Sequence, residues 1–255
     1  MRKYLKEVEA RLLTIGRNRK PDKWLAENYI GAGQSRLTYL NIKIPEVRNA
    51  FRQGFSFSNL PADEQWQIWN YIWRKSNIFE VMLLPSYWAA QQNVPELFRH
   101  RQLVLKWLNR VDNWAHSDEM SAHYAKLLEH NAKRIMPEFK RWSKSKNPWF
   151  KRQSMVGLIF YSRFRKKLPQ AKILLQHIER HIDDDHYYVQ KGVGWTVREC
   201  WNAYPSVTLT YLKKNAHRIP SAGWTAATEK LSAKDKAALM ILRRQRRSAG
   251  PVRLL

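Results

Sequence analysis

The stretch PADEQWQIWNYIW, residues 61–73, places Trp66, Ile68, Trp69, Ile72 and Trp73 at the spacing of one helix face, behind a proline in a first-turn position. It is entered through Asn59-Leu60-Pro61, and comparable short junctions recur at Asn93-Val94-Pro95 and Ser145-Lys146-Asn147-Pro148. Outward from it, apolar periodicity predicts helices over 3–15, 45–55, 77–91, 95–111, 117–130, 133–143, 148–166, 169–182, 186–202, 205–214, 220–231 and 233–246. Strand alternation is confined to short pieces such as 40–44. Helix pairs joined this tightly, about every 35 to 45 residues, have the rhythm of HEAT-type repeats. The expected fold is therefore all-α: an α-solenoid of HEAT-like helical repeats with a concave basic face, a compact helical bundle being the alternative. It is expected to occupy 1–245 as a single domain. Periodicity fades near Arg243, in RRQRRSAGPVRLL, and 246–255 reads as a basic tail, either a solvated end or a DNA-contacting arm.

Charge narrows the partner. The 255 residues hold 46 Lys and Arg against 21 Asp and Glu, a net charge of +25. That excess goes well beyond what solubility asks for and points to a polyanion. No apolar run approaches the roughly 18 to 20 residues of a spanning helix, so no membrane role is expected. Twelve Trp and eleven Tyr are interleaved with the basic residues, which suits base stacking and phosphate contact. The single Cys200 permits no internal disulfide, and the charged N-terminus MRKYLKEVEARLL lacks the build of a secretory signal, so a reducing cytoplasm is the expected compartment.

Within this pattern QKGVGWTVRE, residues 190–199, puts two glycines inside a predicted helix. Each costs about 1 kcal/mol relative to alanine. Room for a neighbouring helix or a ligand is the compensation, beside Trp195, Lys191 and Arg198.

Three further places could carry chemistry. In WAHSD, residues 114–118, a ring and a carboxylate four apart share a face if the helix is continuous; Ser117 also reads as an N-cap, which would make Asp118 and Glu119 ordinary first-turn acids. In WFKRQS, residues 149–154, Arg152 could reach a phosphate or stack on a base, or simply join a basic solvent face. In HIERHIDDDHYY, residues 177–188, His177, His181, His186 and three aspartates raise a metal site, but the order is not H-E-x-x-H and the aspartates more simply end one helix and cap the next. Gly31-Ala32-Gly33 has no phosphate-loop spacing, and Cys200 has no nearby base.

Four landmarks in order, TYLNIKIPEVRNAF (38–51), WAHSD, WFKRQSMV (149–156) and YYVQKGVGWTVRE (187–199), resemble the AlkD-type family of alkylpurine DNA glycosylases built from HEAT-like repeats. The resemblance runs from about residue 29 to 231. It implies a monofunctional glycosylase that releases cationic N3- or N7-alkylated purines from double-stranded DNA, without a metal or small-molecule cofactor. By the family's pattern Asp118, as the carboxylate, Trp114 and Arg152 are expected to be catalytic and Trp195 to bind the lesion; Lys191 and Arg198, the cations that flank Trp195, are expected to bind the lesion or the DNA. The chain departs from the pattern at Asn113-Trp114-Ala115-His116 and in GAGQSRLTY, 31–39. The alternatives are a non-catalytic HEAT-like scaffold for DNA or RNA and, third, a metal-dependent hydrolase on 177–186. A monomer is the expected state.

Overall fold

A computed structural model describes residues 1–19 and 35–248, so Gly31-Ala32-Gly33, the first part of GAGQSRLTY and the tail from 249 onward lie outside the described residues. The chain divides into two compact units, Met1–His130 and Asn131–Leu255. Both are helical, in keeping with the all-α helical-repeat class; among the described residues the β-structure is a single bridge between Thr38 and Ile78.

The first unit contains α1 (Arg2–Gly16), α2 (Ile44–Arg52), α3 (Ala62–Lys75), α4 (Phe79–Gln91), α5 (Val94–Arg99), α6 (Arg101–Trp107) and α7 (Trp114–His130). Helix α4 is buried along nearly its whole length, as its near-continuous apolar sequence requires, and α1, α2, α3 and α7 pack on it. Trp66, Trp69, Trp73 and Trp107 supply large buried surfaces, and the indole N–H groups of Trp73 and Trp107 donate to the Trp107 carbonyl and to Asn70 Oδ1, both at 3.0 Å. The segment 40–44 is not a strand. The N–H groups of Leu40 and Ile42 donate to the carboxylate of buried Glu80 at 2.9 to 3.3 Å instead of to a neighbouring strand.

The second unit contains α8 (Ala132–Trp142), α9 (Pro148–Ile159), α10 (Ala171–His181), α11 (Tyr187–Ala203), α12 (Pro205–Asn215), α13 (Ser221–Ala227) and α14 (Ala233–Ser248). Helix α11 is its hub, packed by α9, α10, α12 and α13.

Several boundaries differ from expectation: 45–55 ends at Arg52, 220–231 ends at Ala227 and 117–130 begins at Trp114, and three other differences have a visible cause. The stretch 95–111 is broken at His100, whose ring stacks on Trp66 at 4.6 Å, and it ends in a short 3-10 turn over Leu108–Arg110. The stretch 148–166 stops at Ile159, where Phe160 takes a left-handed conformation. At the other end, α14 continues through Arg243 to Ser248, because the Arg243 guanidinium is buried and donates to the carbonyls of Ala216 and Ile219 at 2.7 and 2.5 Å. Residues 246–248 therefore belong to a helix and not to a tail.

Candidate functional site

In the first unit the start of α7 decides where Trp114 and Asp118 point. The Asn113 side chain accepts from His116 N at 2.9 Å, and Ser117 N already donates to the Asn113 carbonyl at 3.2 Å. Asn113 is the N-cap, which corrects the reading of Ser117 as cap and of Asp118 and Glu119 as first-turn acids. Asp118 stands in the second turn of an unbroken helix, four residues after Trp114 and on the same face, and both are half-buried.

His116, which the motif left without a role, anchors this turn. It is fully buried, its Nε2 lies 3.1 Å from the Phe79 carbonyl, its Nδ1 lies 3.0 Å from Asn113 Nδ2, and its ring stacks on Phe79 at 4.5 Å. The ring therefore donates from Nε2 and accepts at Nδ1. Burial holds it neutral, with a pKa lowered to about 4.

Beside Asp118 stands half-buried Glu119. Burial raises the Glu119 carboxyl pKa, the positive charge of Arg48 on α2 opposes that rise, and the negative charge of Asp118 adds to it. Arg48 also lies over the ring of Tyr87, 5.6 Å from its centroid. Burial and the Glu119 charge push the Tyr87 phenol up to about 12. A pair of adjacent carboxylates, one indole, one phenol and one guanidinium thus gather at α7, α4 and α2.

In the second unit the two glycines of QKGVGWTVRE have separate tasks. A Cβ on Gly194 would stand 2.0 Å from the carbonyl oxygen of Gly223, so this glycine lets α11 and α13 cross backbone to backbone. A Cβ on Gly192 would meet Arg152 Cγ at 3.3 Å and Nη1 at 3.5 Å. Gly192 is the seat of Arg152. That arginine is 4% exposed, and its Nη1 donates to the Tyr188 carbonyl at 3.1 Å, tying α9 to α11.

Along α11, Tyr187, Lys191, Trp195 and Arg198 form one stripe at successive helical spacings, the first two exposed and the last two half-buried. The Lys191 ammonium lies 5.9 Å from the Tyr187 ring centroid. Arg198 lies 5.4 Å from the Trp195 ring and 6.0 Å from the Tyr161 ring, and Tyr161 meets Trp195 edge-on at 5.3 Å. Arg198, expected to bind the lesion or the DNA, is held by carboxylates: Nη2 donates to Glu199 and Nη1 to Glu229, both at 3.0 Å. Its positive charge is largely answered within the protein.

Glu199 organises this corner. It is 3% exposed; Oε2 accepts from the N–H and the hydroxyl of Ser162, each at 2.9 Å, while Oε1 accepts from Arg198. These bonds hold the turn after Phe160, whose φ of 48° is a conformation that costs a residue with a side chain about 1 to 3 kcal/mol. The turn delivers Tyr161 to Trp195. Tyr161 and Glu199 had no local sign in the sequence, whereas Tyr187 could have been found by counting one and two turns back from Lys191 and Trp195.

The residues 177–188 do not converge on a metal. His181 Nε2 faces Ser143 Oγ at 3.1 Å and Ser154 Oγ at 3.4 Å, while Asp184 binds Lys151 Nζ at 2.6 Å and accepts from His186 N at 3.0 Å, ahead of α11. A group with ligand-like spacing among the described residues, Asp63, Glu96 and His100, already surrounds Arg99, whose Nη2 lies 2.8 and 2.9 Å from the two carboxylates. Cys200 is buried, and burial pushes its thiol well above the usual range, away from thiolate chemistry. No helix among the described residues is long and apolar enough to cross a membrane.

The model of the DNA alkylation repair enzyme family matches residues 18–231. No curated protein is similar to the chain in sequence. Among solved structures, a predicted DNA alkylation repair enzyme from Enterococcus faecalis superimposes with a TM-score of 0.61 at 12% identity, over 89% of this chain and 96% of its own. The alkylpurine DNA glycosylase AlkC of Pseudomonas fluorescens, bound to DNA containing an abasic site analog, gives 0.54 at 14% identity, over 93% of this chain and 66% of its own. AlkD2 from Streptococcus mutans gives 0.51 at 14% identity, over 93% and 98%.

Proposed function

Because the chain belongs to the DNA alkylation repair enzyme family, we propose that it is a monofunctional DNA glycosylase. It hydrolyses the N-glycosidic bond of cationic N3- or N7-alkylated purines in duplex DNA. The observation that carries this reading is the capping of α7 by Asn113, which leaves Asp118 in the second turn on the face of Trp114.

A purine alkylated at N3 or N7 bears a positive charge and departs as a neutral base, so the leaving group needs no prior protonation. Positive charge passes to the deoxyribose as the bond to C1′ breaks. Asp118 supplies a fixed negative charge for that oxocarbenium-like ion and orients the attacking water. The electron-rich faces of Trp114 and Trp195 suit a cationic ring or sugar, at about 0.5 to 2 kcal/mol each.

Arg152, seated on Gly192, acts first as a positioning residue under the α11 stripe. The phosphate contact that the family resemblance implies for it would exchange the Tyr188 carbonyl for a phosphate oxygen. Lys191, exposed on the stripe, supplies a backbone contact of the sequence-independent kind, as does the general excess of Lys and Arg. The test is incubation with methylated duplex DNA and identification of released bases. Release of 7-methylguanine or 3-methyladenine is expected; binding without release would leave a DNA-binding scaffold.

A further inference from the structure

The turn that follows α9 does more than deliver Tyr161 to Trp195. It continues as a short 3-10 turn over Ser162–Phe164, and there the ring of Phe164 stands 64% exposed, the most exposed large apolar side chain among the described residues. The backbone holds it out. Phe164 N donates to the Tyr161 carbonyl and Arg165 N to the Ser162 carbonyl, both at 3.0 Å, Arg165 Nη1 donates to the Leu158 carbonyl at 3.1 Å, and Ser162 is tied to buried Glu199. The ring is thus presented by a fixed turn on the end of a core helix.

Single exposed apolar side chains are common on protein surfaces. This one differs in its neighbours. Tyr161 meets Phe164 edge-on at 5.9 Å and Trp195 edge-on at 5.3 Å, and Arg163 lies 5.4 Å from the Tyr161 ring and 4.7 Å from the Phe164 ring. Rings and guanidinium groups therefore alternate from Trp195 through Arg198, Tyr161 and Arg163 to Phe164. Arg198 is answered by Glu199 and Glu229, whereas Arg163 is exposed and has no carboxylate partner among the described residues. The segment 160–170 holds Arg163, Arg165, Lys166 and Lys167 and no acid.

A second copy of so cationic a chain would bring like charge to this turn. The fitting partner is anionic outside and offers flat apolar faces within, which describes the base stack of DNA between its phosphates. The two ring spacings from Trp195 to Phe164, set against a rise of about 3.4 Å per base step, keep Phe164 within about three steps of whatever Trp195 faces. We propose that Phe164 is a wedge that enters the base stack of duplex DNA within that distance of the lesion, unstacks one step and kinks the helix, while Arg163 passes from the ring face to the adjoining phosphate. The wedge rests on the glycosylase reading above, with Trp195 at the lesion, and it requires DNA binding but not hydrolysis.

The test follows stacking directly, with the full chain and a duplex that carries an abasic-site analog and, one to three steps from it, the fluorescent base 2-aminopurine, which brightens when it is unstacked. Saturating native chain should raise the fluorescence several-fold at one of these positions. Phe164→Ala, at an exposed position, should abolish the rise at saturation and weaken binding about fivefold or more, the worth of one base–ring stack. Its helical circular dichroism and the slope of log binding constant against log salt should stay as they are, since the ring carries no charge. Phe164→Leu, still an apolar wedge, should restore much of the rise. A native chain that binds this duplex with no rise at any position, or a Phe164→Ala variant that keeps the rise, overturns the wedge and leaves the glycosylase reading standing; a native chain that binds no DNA overturns both. A free chain that is dimeric by light scattering and becomes monomeric in Phe164→Ala assigns the ring to a second copy and overturns the wedge as well.

Discussion

Gly194 of α11 lies directly against Gly223 of α13, so closely that a Cβ on the first would stand 2.0 Å from the carbonyl oxygen of the second. Two backbones meet with no side chain between them. Gly194→Ala is therefore expected to force the helices apart and to destabilise the protein by about 1 to 3 kcal/mol or more, an overpacking cost. Gly192→Ala should cost less, since the atom it meets at 3.3 Å belongs to the Arg152 side chain, which can move. Urea unfolding of the two variants measures the difference; equal stability of Gly194→Ala and the native chain would contradict the close crossing.

Glu199 is expected to be a positioning residue. Glu199→Ala removes a buried carboxylate that binds both Ser162 and Arg198, at a cost of about 3 kcal/mol. Glu199→Gln retains an acceptor for Ser162 but loses the charge that holds Arg198. It should lower base release several-fold with a smaller loss of stability. A Gln variant with native activity would show that the Tyr161, Trp195 and Arg198 corner is not part of the site.

The stripe of α11 makes a further prediction, on salt dependence. Lys191→Ala should reduce the slope of log binding constant against log salt by about one counterion. Arg198→Ala, whose charge is already answered by Glu199 and Glu229, should leave that slope nearly unchanged and act on stability instead. The reverse assignment from DNA titrations at several salt concentrations would refute this division.

The buried histidines set an acid limit. His116, His177 and His181 each have a folded pKa lowered to about 4, chiefly by burial. The unfolded chain takes up these protons at about pH 6.5, whereas the folded chain resists them. Stability is thus full above about pH 6.5, falls as the pH drops from there to about 4, and loses nothing more to these groups below that. Urea midpoints measured from pH 7.5 to 4.5 should fall steadily. A His116 ring that titrates near 6.5 in the folded protein by NMR would contradict its burial against Phe79.

Which of these features could be read in the chain follows from the range of the interactions. Helices such as α3 and α11 are encoded by local periodicity and were legible. The break at His100 was not, because it depends on a ring stacked against Trp66, 34 residues earlier in sequence. The stop at Phe160 depends on Glu199, and the continuation of α14 on carbonyls offered by Ala216 and Ile219. At the candidate site, the ring-and-cation character of 190–199 was visible. The burial of Arg152 and the neutralisation of Arg198 were not, since Tyr188 and Glu229 reach them only through the fold.

The central claim is that Asp118 breaks the bond and the rest of the chain holds the DNA. It is tested by following base release from methylated duplex DNA by the native chain and Asp118→Asn, with DNA binding measured alongside. The native chain should release 7-methylguanine or 3-methyladenine, and the variant should lose release while binding with unchanged affinity. Release that persists in Asp118→Asn, or a native chain that binds the duplex and frees no base, would contradict it.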